Sequence, residues 1–415
     1  MKYIKKVLGG DLRQYTMVLA LALLIIIFNV ISGGRMLTSS NFQNLLSGNA
    51  YVLVLALGML MVIVIGQIDL SVGSVAGFAG MVMAIVARDF NLPWWAAVLV
   101  ALAIGLLAGA WHGFFLSKLG IPGFITTLGG MMIFRGGVIW ISQSISVAVP
   151  SELKWFGAGY LPDLGRSFTG LNNSTLLLGI VGFITFTVIQ LRKYIHSSDT
   201  VEGKDPIWAV TVRIILVGAL IGYFTWLFGS GREGTSFPVP GLILLILVII
   251  YYIITERTKF GRHVYAVGGN KSAAALSGVN VKRTYFLTMV NMSLLAAVAG
   301  ILFVGRSTAA GPADGTSWEM DAIASVFIGG AAVSGGVGTI FATMIGGMVM
   351  AVLNNGLMLM GVGADRTQVI KGFVLLAAVA FDVYNKSKGR SSITGRLFGE
   401  KQTASKGVES ASNEQ

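Results

Sequence analysis

The sequence predicts an all-α polytopic membrane protein with about ten to twelve transmembrane helices. Three observations support this fold class. The chain of 415 residues is 54% hydrophobic and only 12% charged, whereas soluble domains are typically about 25% charged. Apolar runs of roughly 15–23 residues recur along nearly the whole length, which is about what crosses a bilayer core. The 55 glycines also indicate a membrane protein of packed helices, because small residues let membrane helices approach closely.

Eleven apolar segments are predicted to span the membrane, and the first is interpreted as an uncleaved span that follows a cytoplasmic N-terminus. Segment 321–333 is apolar but too short to cross a bilayer comfortably, so it predicts a broken or half helix. The predicted spans are 15–31, 50–66, 72–87, 94–116, 124–141, 175–190, 208–228, 239–254, 285–304, 339–359 and 369–384.

The basic loops give the orientation and the domain boundaries. If successive spans cross the membrane in alternating directions from a cytoplasmic N-terminus, the basic segments near Lys118, at 192–204 and at 257–283 lie in the cytoplasm. The positive-inside rule expects this. If 321–333 counts as a crossing, the basic C-terminal tail is also cytoplasmic. We therefore predict one transmembrane domain over 1–386, with a cytoplasmic loop at 256–284, and a cytoplasmic, disordered tail over 387–415.

Charge and reactive residues exclude several classes of function. The net charge of +12 follows from the basic loops and tails, so we predict no nucleic-acid partner. The chain has no cysteine, which excludes disulfides and thiolate chemistry. His112, His196 and His263 show no metal-ligand spacing, and no catalytic array is recognisable. We therefore predict no metal site and no catalytic residue.

A weak internal similarity suggests inverted repeats. Residues 111–114 followed by 120–125 resemble residues 354–357 followed by Gly363 and the last span. By the charge topology the two places lie on opposite sides of the membrane. Two inverted repeats with the pathway between them are a common transporter plan, and this is our hypothesis for the two halves of the chain.

The basic loop 257–283 predicts a docking element, although an ordinary cytoplasmic loop is the alternative. Asn270 is placed to cap a short helix that runs to Leu276, and Gly278 is placed to end it. The run 268–272, GGNKS, superficially resembles a phosphate loop. That motif requires glycine directly before the lysine, and Asn270 stands there, so we expect no ATP hydrolysis by this chain.

Polar residues between apolar runs are the candidates for a solute pathway. Gln67, Asp69 and Ser71 stand between apolar runs and indicate a broken helix. Non-helical backbone inside the membrane needs hydrogen-bond partners from the protein or from a water-filled cavity, and an ionisable residue there indicates a functional site. Asp69 is alternatively a helix cap. The glycines that follow the half helix permit a tight turn, and Asp321 is alternatively the cap of that helix.

Further polar candidates lie on other spans. Thr126 and Thr127 belong to a threonine- and glycine-rich segment at 121–137. The amides of Asn354 and Asn355 either bind solute hydroxyls or bond a neighbouring helix. Arg135 either snorkels, pairs with a carboxylate or lines a cavity, and Lys371 and Asp382, each near the end of a span, are expected to snorkel or lie at the interface.

Five sequence blocks together resemble the permease subunits of bacterial monosaccharide ABC importers, of the ribose, xylose, arabinose and galactose type. They occur in order along both halves of the chain, at 68–74, 121–130, 261–281, 321–339 and 353–357, and read IDLSVGS, IPGFITTLGG, GRHVYAVGGNKSAAALSGVNV, DAIASVFIGGAAVSGGVGT and LNNGL.

The resemblance implies an ABC importer permease fold over 1–386, in a bacterial inner or plasma membrane. The charge of the loops and the tail places both termini in the cytoplasm. The resemblance also implies a permease homodimer, a cytoplasmic ATPase that carries ATP and Mg, and an extracytoplasmic sugar-binding protein, with no cofactor in this chain. The helical pair at 175–228 resembles the longer xylose or multiple-monosaccharide permeases. The implied ATPase-coupling residues are Gly268, Gly269, Asn270, Ala273, Ala274, Ser277 and Gly278.

The expected function is translocation of a monosaccharide into the cytoplasm by alternating access. The candidate pathway residues are Gln67, Asp69, Ser71, Thr126, Thr127, Asn354 and Asn355. A bulky charge at Ala274 is expected to abolish uptake while membrane insertion survives. An ion-coupled secondary sugar transporter that uses Asp69 or Asp321 is the alternative, and an integral-membrane enzyme and a structural subunit are weaker ones.

Overall fold

The computed structural model describes residues 12–165, 169–196 and 206–387. These residues form fifteen α-helices and one two-stranded antiparallel sheet. The strands are β1 (Val147–Ala148) and β2 (Ala309–Ala310). The helices are α1 (Leu12–Ile31), α2 (Ser39–Val64), α3 (Val72–Asp89), α4 (Trp94–Ser117), α5 (Gly123–Ser142), α6 (Ser151–Ala158), α7 (Asn173–His196), α8 (Ile207–Gly229), α9 (Val239–Arg257), α10 (Lys259–Gly269), α11 (Lys271–Leu276), α12 (Val281–Ser307), α13 (Trp318–Ile328), α14 (Ile340–Leu359) and α15 (Ala364–Ser387).

The prediction of an all-α polytopic membrane protein is confirmed. Within the described ranges, nine helices are long and apolar enough to cross a membrane: α2, α3, α4, α5, α7, α8, α9, α12 and α14. Helices α1 and α15 coincide with the two remaining predicted spans. The apolar part of α1 is only Met17–Ile31, and α15 carries Asp365, Arg366 and Lys371 in its first half. The predicted tail covers 387–415, and its residues after Ser387 lie outside the described part of the chain.

Helix α2 forms the centre of the bundle. In its most apolar 18-residue stretch, 89% of the residues are buried, and α9, α12, α13 and α14 pack against it. A helix that is apolar all round belongs in the interior of a bundle. Helix α12 is the second central element, because α3 and α4 also pack on it.

Small residues permit the closest helix contacts in this core. A Cβ atom at Gly105 of α4 would lie 2.7 Å from the Ser293 carbonyl oxygen of α12. Gly300 of α12 similarly faces the backbone of α3 at Ala76. Such close approach is the reason membrane helix interfaces favour glycine and alanine.

The helical order is broken at two places inside the bundle. Residues 65–71 separate α2 from α3, and Gly66 has φ +75°. Residues 329–339 follow α13, where Gly330, Gly335 and Gly336 also have positive φ. The predicted half helix is confirmed with shifted bounds, since it covers Trp318–Ile328 instead of 321–333. Its 11 residues span about 16 Å, roughly half of a bilayer core.

The predicted helical pair at 175–228 is confirmed as α7 and α8. These helices pack chiefly against each other, and only 6% and 11% of their most apolar stretches are buried. The end of α8 is attached to α2, where Gln43 Nε2 donates to the Phe228 carbonyl oxygen at 2.9 Å and Ser39 Oγ donates to the Leu227 carbonyl oxygen. Most of the basic loop between the two helices lies outside the described residues.

One end of the bundle carries α6 and the strand pair, and the opposite end carries α10 and α11. At the α6 end, Gly157 packs on the last turn of α12, beside Gly305, and Val147 pairs with Ala310. The repeat hypothesis stays a prediction.

Candidate functional site

The basic loop between α9 and α12 folds into two short helices, α10 and α11. Thr258 caps α10, because its Oγ1 accepts a hydrogen bond from the Gly261 amide at 3.2 Å. Helix α10 is amphipathic, and Gly261, Val264 and Val267 are buried against the bundle. This segment is therefore a fixed part of the structure.

Helix α11 has the cap and the end that the sequence predicts. Asn270 Oδ1 accepts from the Ala273 amide at 2.9 Å. Gly278 has φ +84°, and its amide donates to the Ala275 carbonyl oxygen at 3.0 Å. A glycine in the left-handed region is the usual end of a helix. Asn280 Oδ1 then accepts from the Arg283 amide at 2.9 Å and caps α12, so the loop is ordered throughout.

Helix α11 presents one face outward. Leu276 is 91% exposed, and Ala273, Ala275 and Ser277 are exposed beside it. Ala274 points inward and is only 5% exposed. A bulky charge at Ala274 would therefore disrupt the packing of α11 itself, so Leu276 is the better position for a test of docking.

Three segments meet where α10 joins the bundle. The Gly336 amide donates to the Val64 carbonyl oxygen at 2.8 Å. Gly268 lies against the same oxygen, and a Cβ atom built there would overlap it and lie 2.8 Å from the Gly336 nitrogen. Gly269 has open space on its Cβ side. We call this contact of Val64, Gly268 and Gly336 the junction; it connects α10 with both broken segments of the bundle.

Tyr265 adds a side-chain bond beside the junction. Its hydroxyl donates to the Gly338 carbonyl oxygen at 2.7 Å. Burial, with a smaller contribution from the charge of Glu256, raises the pKa of Tyr265 to about 12. The hydroxyl therefore keeps its proton at neutral pH. Because the folded-state pKa lies above the ordinary tyrosine value of about 10, the contribution to stability is complete below pH 10 and is lost as the pH rises toward 12.

Replacing Tyr265 with phenylalanine is expected to lower the free energy of unfolding by about 0.5–1.5 kcal/mol, because one hydrogen bond is lost. The measurement is thermal unfolding of the purified chain in detergent at pH 7. Tyr252→Phe is the matched control, since the Tyr252 side chain is about half exposed. Equal stability of the two variants would contradict the role given to the Tyr265 hydroxyl.

The first group of candidate pathway residues lies together between α2, α3 and α5. Gln67 Oε1 accepts from the Gly123 amide at 2.9 Å, and Thr127 Oγ1 accepts from the Leu70 amide at 3.1 Å. Asp69 Oδ1 accepts from the Ser71 amide at 2.8 Å and from the Ser71 hydroxyl at 2.6 Å. These bonds hold the broken segment 65–71 against the first turns of α5. Asp69 holds Ser71, the residue at the N-cap position of α3, through these two bonds, and it does not cap α3 itself.

Several polar atoms near this segment are buried without a hydrogen-bond partner in the described part of the chain. They include Asp69 Oδ2, Ser74 Oγ, both ring nitrogens of His112, and Glu319 Oε2. Glu319 lies beside Gly73 at the start of α3. Thr126 Oγ1 on α5 is also unpartnered. Buried polar groups are costly unless bonded, so this region is suited to hold water or a polar solute.

Asn354 and Asn355 lie in a second place, on α14. Asn355 and Asn41 exchange two amide hydrogen bonds, at 2.9 and 3.0 Å, which joins α14 to α2. Asn354 turns the other way and lies near Asp321 of α13. Lys371 of α15 completes this contact, with Nζ 2.7 Å from Asp321 Oδ1 and 2.8 Å from Oδ2. The structure therefore separates the candidate pathway residues into two groups.

Comparison with known proteins identifies the family of the chain. The family described as branched-chain amino acid transport system / permease component matches residues 41–379. The chain belongs to this permease family. No solved structure gives a significant match.

Curated relatives of the permease resemble it over nearly the whole chain. The xylose transport system permease protein of Haemophilus influenzae is 34% identical over 92% of this chain and 99% of its own length. The corresponding Escherichia coli protein is 35% identical over 91% and 93%. The ribose import permease protein of Escherichia coli is 31% identical over 89% and 94%. The resemblance to monosaccharide importer permeases seen in the sequence blocks is thus confirmed.

The structure decides between the interpretations of three charged residues in the permease. Asp321 does not cap α13, because Ser317 occupies the cap position and Asp321 lies in the first turn. Lys371 does not snorkel, because it pairs with Asp321. Arg135, for which three interpretations were open, donates to the hydroxyl of Thr316 before α13.

Sequence reasoning also missed residues that the structure singles out in the permease. Leu276 is an isolated large apolar residue in a polar loop, and that pattern was a usable signal. His112 is an ionisable residue inside an apolar helix, which is equally visible in the sequence. The partners of Lys371 and Asn355 lie 50 and 314 residues away, and no local pattern indicates such pairs.

Proposed function

We propose that the chain is the membrane-spanning permease subunit of an ATP-driven ABC importer that translocates a monosaccharide, xylose or a related sugar, into the cytoplasm. The observation that carries the proposal is the exposed, capped helix α11 on a rigid connection to both broken segments of the bundle. The relatives named as xylose and ribose permeases support the substrate class.

The proposal includes three partners and a location. A cytoplasmic ABC ATPase binds the outward face of α11 around Asn270, Ala273, Ser277 and Gly278, and it carries the ATP and Mg. An extracytoplasmic sugar-binding protein delivers the sugar at the α6 end, and a second copy of the permease completes the pathway. The complex lies in a bacterial inner or plasma membrane with both termini in the cytoplasm.

The proposed mechanism is alternating access. Closure of the ATPase modules moves α11, and α10 transmits the movement because Val264 and Val267 anchor it in the bundle. The junction passes the displacement to segments 65–71 and 329–339, which flank α3 and α13. ATP drives the change only because the ATPase has different affinities for the two states.

The sugar pathway is proposed to include Gln67, Asp69, Ser71, Thr126 and Thr127 near the junction and Asn354 and Asn355 on α14. Unpartnered acceptors such as Asp69 Oδ2 and Thr126 Oγ1 suit hydroxyl groups, which donate and accept hydrogen bonds. A weak site is sufficient, since tight binding within the pathway would slow release of the sugar.

The ion-coupled secondary transporter is the competing function, with Asp69 or Asp321 as the ion site. The unpartnered Asp69 Oδ2 favours it, whereas the pairing of Asp321 with the Lys371 ammonium group counts against Asp321. Among the described residues, no group of three His, Cys, Asp or Glu could hold a metal ion.

Uptake of labelled D-xylose into proteoliposomes separates the two functions. We expect no uptake by the permease alone under a proton or sodium gradient, and uptake when its ATPase, its binding protein and ATP are present. An ATPase with an inactivated nucleotide site is the matched control and should give none. Gradient-driven uptake by the permease alone would contradict the proposal and favour the secondary transporter.

A further inference from the structure

A cavity of about 230 Å³ lies between the half helix α13 and the helices α14 and α15. It is smaller than typical drug-sized sites of about 300–1,000 Å³, so it suits a small solute. Its lining combines polar and apolar groups: Ser317, Met320, Asp321, Met350, Gln368 and Lys371. A site with few, convergent polar groups on an apolar wall is typical of a binding pocket.

The polar side of the cavity is built around one buried ion pair. Lys371 Nζ contacts both oxygens of Asp321, and the side chains are 19% and 7% exposed. An ammonium group has three donors, and a carboxylate has about four acceptor positions. The pair therefore keeps unused donors and acceptors beside the cavity while its net charge is zero.

Ser317 supplies a further polar group in the cavity wall. It stands at the N-cap position of α13, and its side chain makes no cap hydrogen bond to that helix. Its hydroxyl is therefore available to a ligand. Asn354 lies near Asp321 but is not among the residues that line the cavity.

These groups select one class of ligand. A hydroxyl both donates and accepts, so neighbouring sugar hydroxyls match an adjacent carboxylate, ammonium group and serine hydroxyl. A hydrocarbon chain would leave these polar atoms unsatisfied, which is costly. An ion would gain little from a pair of zero net charge.

We propose that the cavity between α13, α14 and α15 binds one neutral, monosaccharide-sized polyol through Asp321, Lys371 and Ser317 during translocation. The proposal rests on the proposed function and assigns the sugar a position within the permease. Because the ion pair joins the half helix to the last helix, bound sugar contacts both elements at once.

Protection of a single cysteine tests the proposal, since the chain has none of its own. Gln368→Cys places a thiol in the cavity wall. Arg366→Cys, two residues earlier on α15 and exposed, is the matched control. A polar maleimide is applied to the full complex in proteoliposomes with D-xylose, D-ribose or D-allose added in turn. We expect at least one sugar to slow labelling of Gln368→Cys several-fold and to leave Arg366→Cys unchanged.

Adding Ser317→Ala to the Gln368→Cys chain tests the specific contacts, because it removes a hydroxyl from the cavity wall and leaves the ion pair in place. We expect the sugar concentration for half-maximal protection to rise about tenfold. The charge exchange Asp321→Lys with Lys371→Asp keeps a pair of zero net charge but inverts its donors and acceptors. We expect the charge-exchanged chain to fold, but we expect the sugar not to protect its cysteine from labelling.

The outcomes separate this proposal from the proposed function. ATP-dependent uptake without protection of Gln368→Cys by any of the sugars overturns the cavity site and leaves the importer function intact. Protection without uptake supports the site and counts against the importer function. Absence of both overturns both. Full protection in the charge-exchanged chain would show that the pair is only structural and would also overturn the site.

Discussion

Gly268→Ala is expected to abolish transport and to lower the free energy of unfolding by about 1–3 kcal/mol or more, as overpacking of a tight contact does. The added methyl group would overlap the Val64 carbonyl oxygen, and neither backbone can withdraw as a flexible side chain would. The bond from the Gly336 amide to Val64 would be displaced as well. The measurements are thermal unfolding in detergent and ATP-dependent sugar uptake.

The adjacent glycine gives a matched control for this change. A Cβ atom at Gly269 meets nothing within 4 Å, so Gly269→Ala should stabilise α10 by about 0.5–1 kcal/mol. The two variants differ by one position and have the same composition. If Gly268→Ala is as stable as Gly269→Ala and transports normally, the junction does not have the role assigned to it.

Leu276→Asp is expected to abolish ATP-dependent uptake without unfolding the permease. Leu276 is 91% exposed, so the change should alter the free energy of unfolding by less than about 0.5 kcal/mol. Removing a central apolar side chain from an interface typically costs about 2 kcal/mol or more, which is about thirtyfold in affinity. Binding of the ATPase to the purified permease in detergent measures this decrease directly.

Leu164→Asp is the control for the charge introduced at Leu276. Leu164 is also an exposed leucine, but it lies in the segment that follows α6, on the opposite end of the bundle. Its replacement should leave ATPase binding unchanged. Leu276→Met keeps an apolar side chain and should retain most of the affinity. Normal ATPase binding by Leu276→Asp would show that the partner contacts another surface.

Features encoded by neighbouring residues were predictable from the sequence. The apolar runs indicate the spans because a bilayer of fixed thickness requires about 20 apolar residues per helix. The cap at Asn270 and the end at Gly278 were also predictable, since both depend on bonds within a few residues. The half helix was found because its apolar run is short.

Features that depend on distant contacts were not predictable. The sequence does not show that Ala274 points inward while Leu276 points outward, because that depends on how α11 lies against α12. The half helix starts three residues earlier than predicted, since Trp318 packs on Tyr51 and Phe303. The pairing of Lys371 with Asp321 joins two helices that only the tertiary fold brings together.

The nearly unburied hairpin of α7 and α8 makes this part of the permease sensitive to the bilayer itself. Its surfaces are unburied over most of their length within this chain, and its helices have 24 and 23 residues, about 35 Å each. A thinner bilayer is accommodated by tilting such a helix at a modest cost per ångström. Because the hairpin is fixed to α2 at the Phe228 end, changes in lipid thickness would swing it about that attachment and leave the central helices in place.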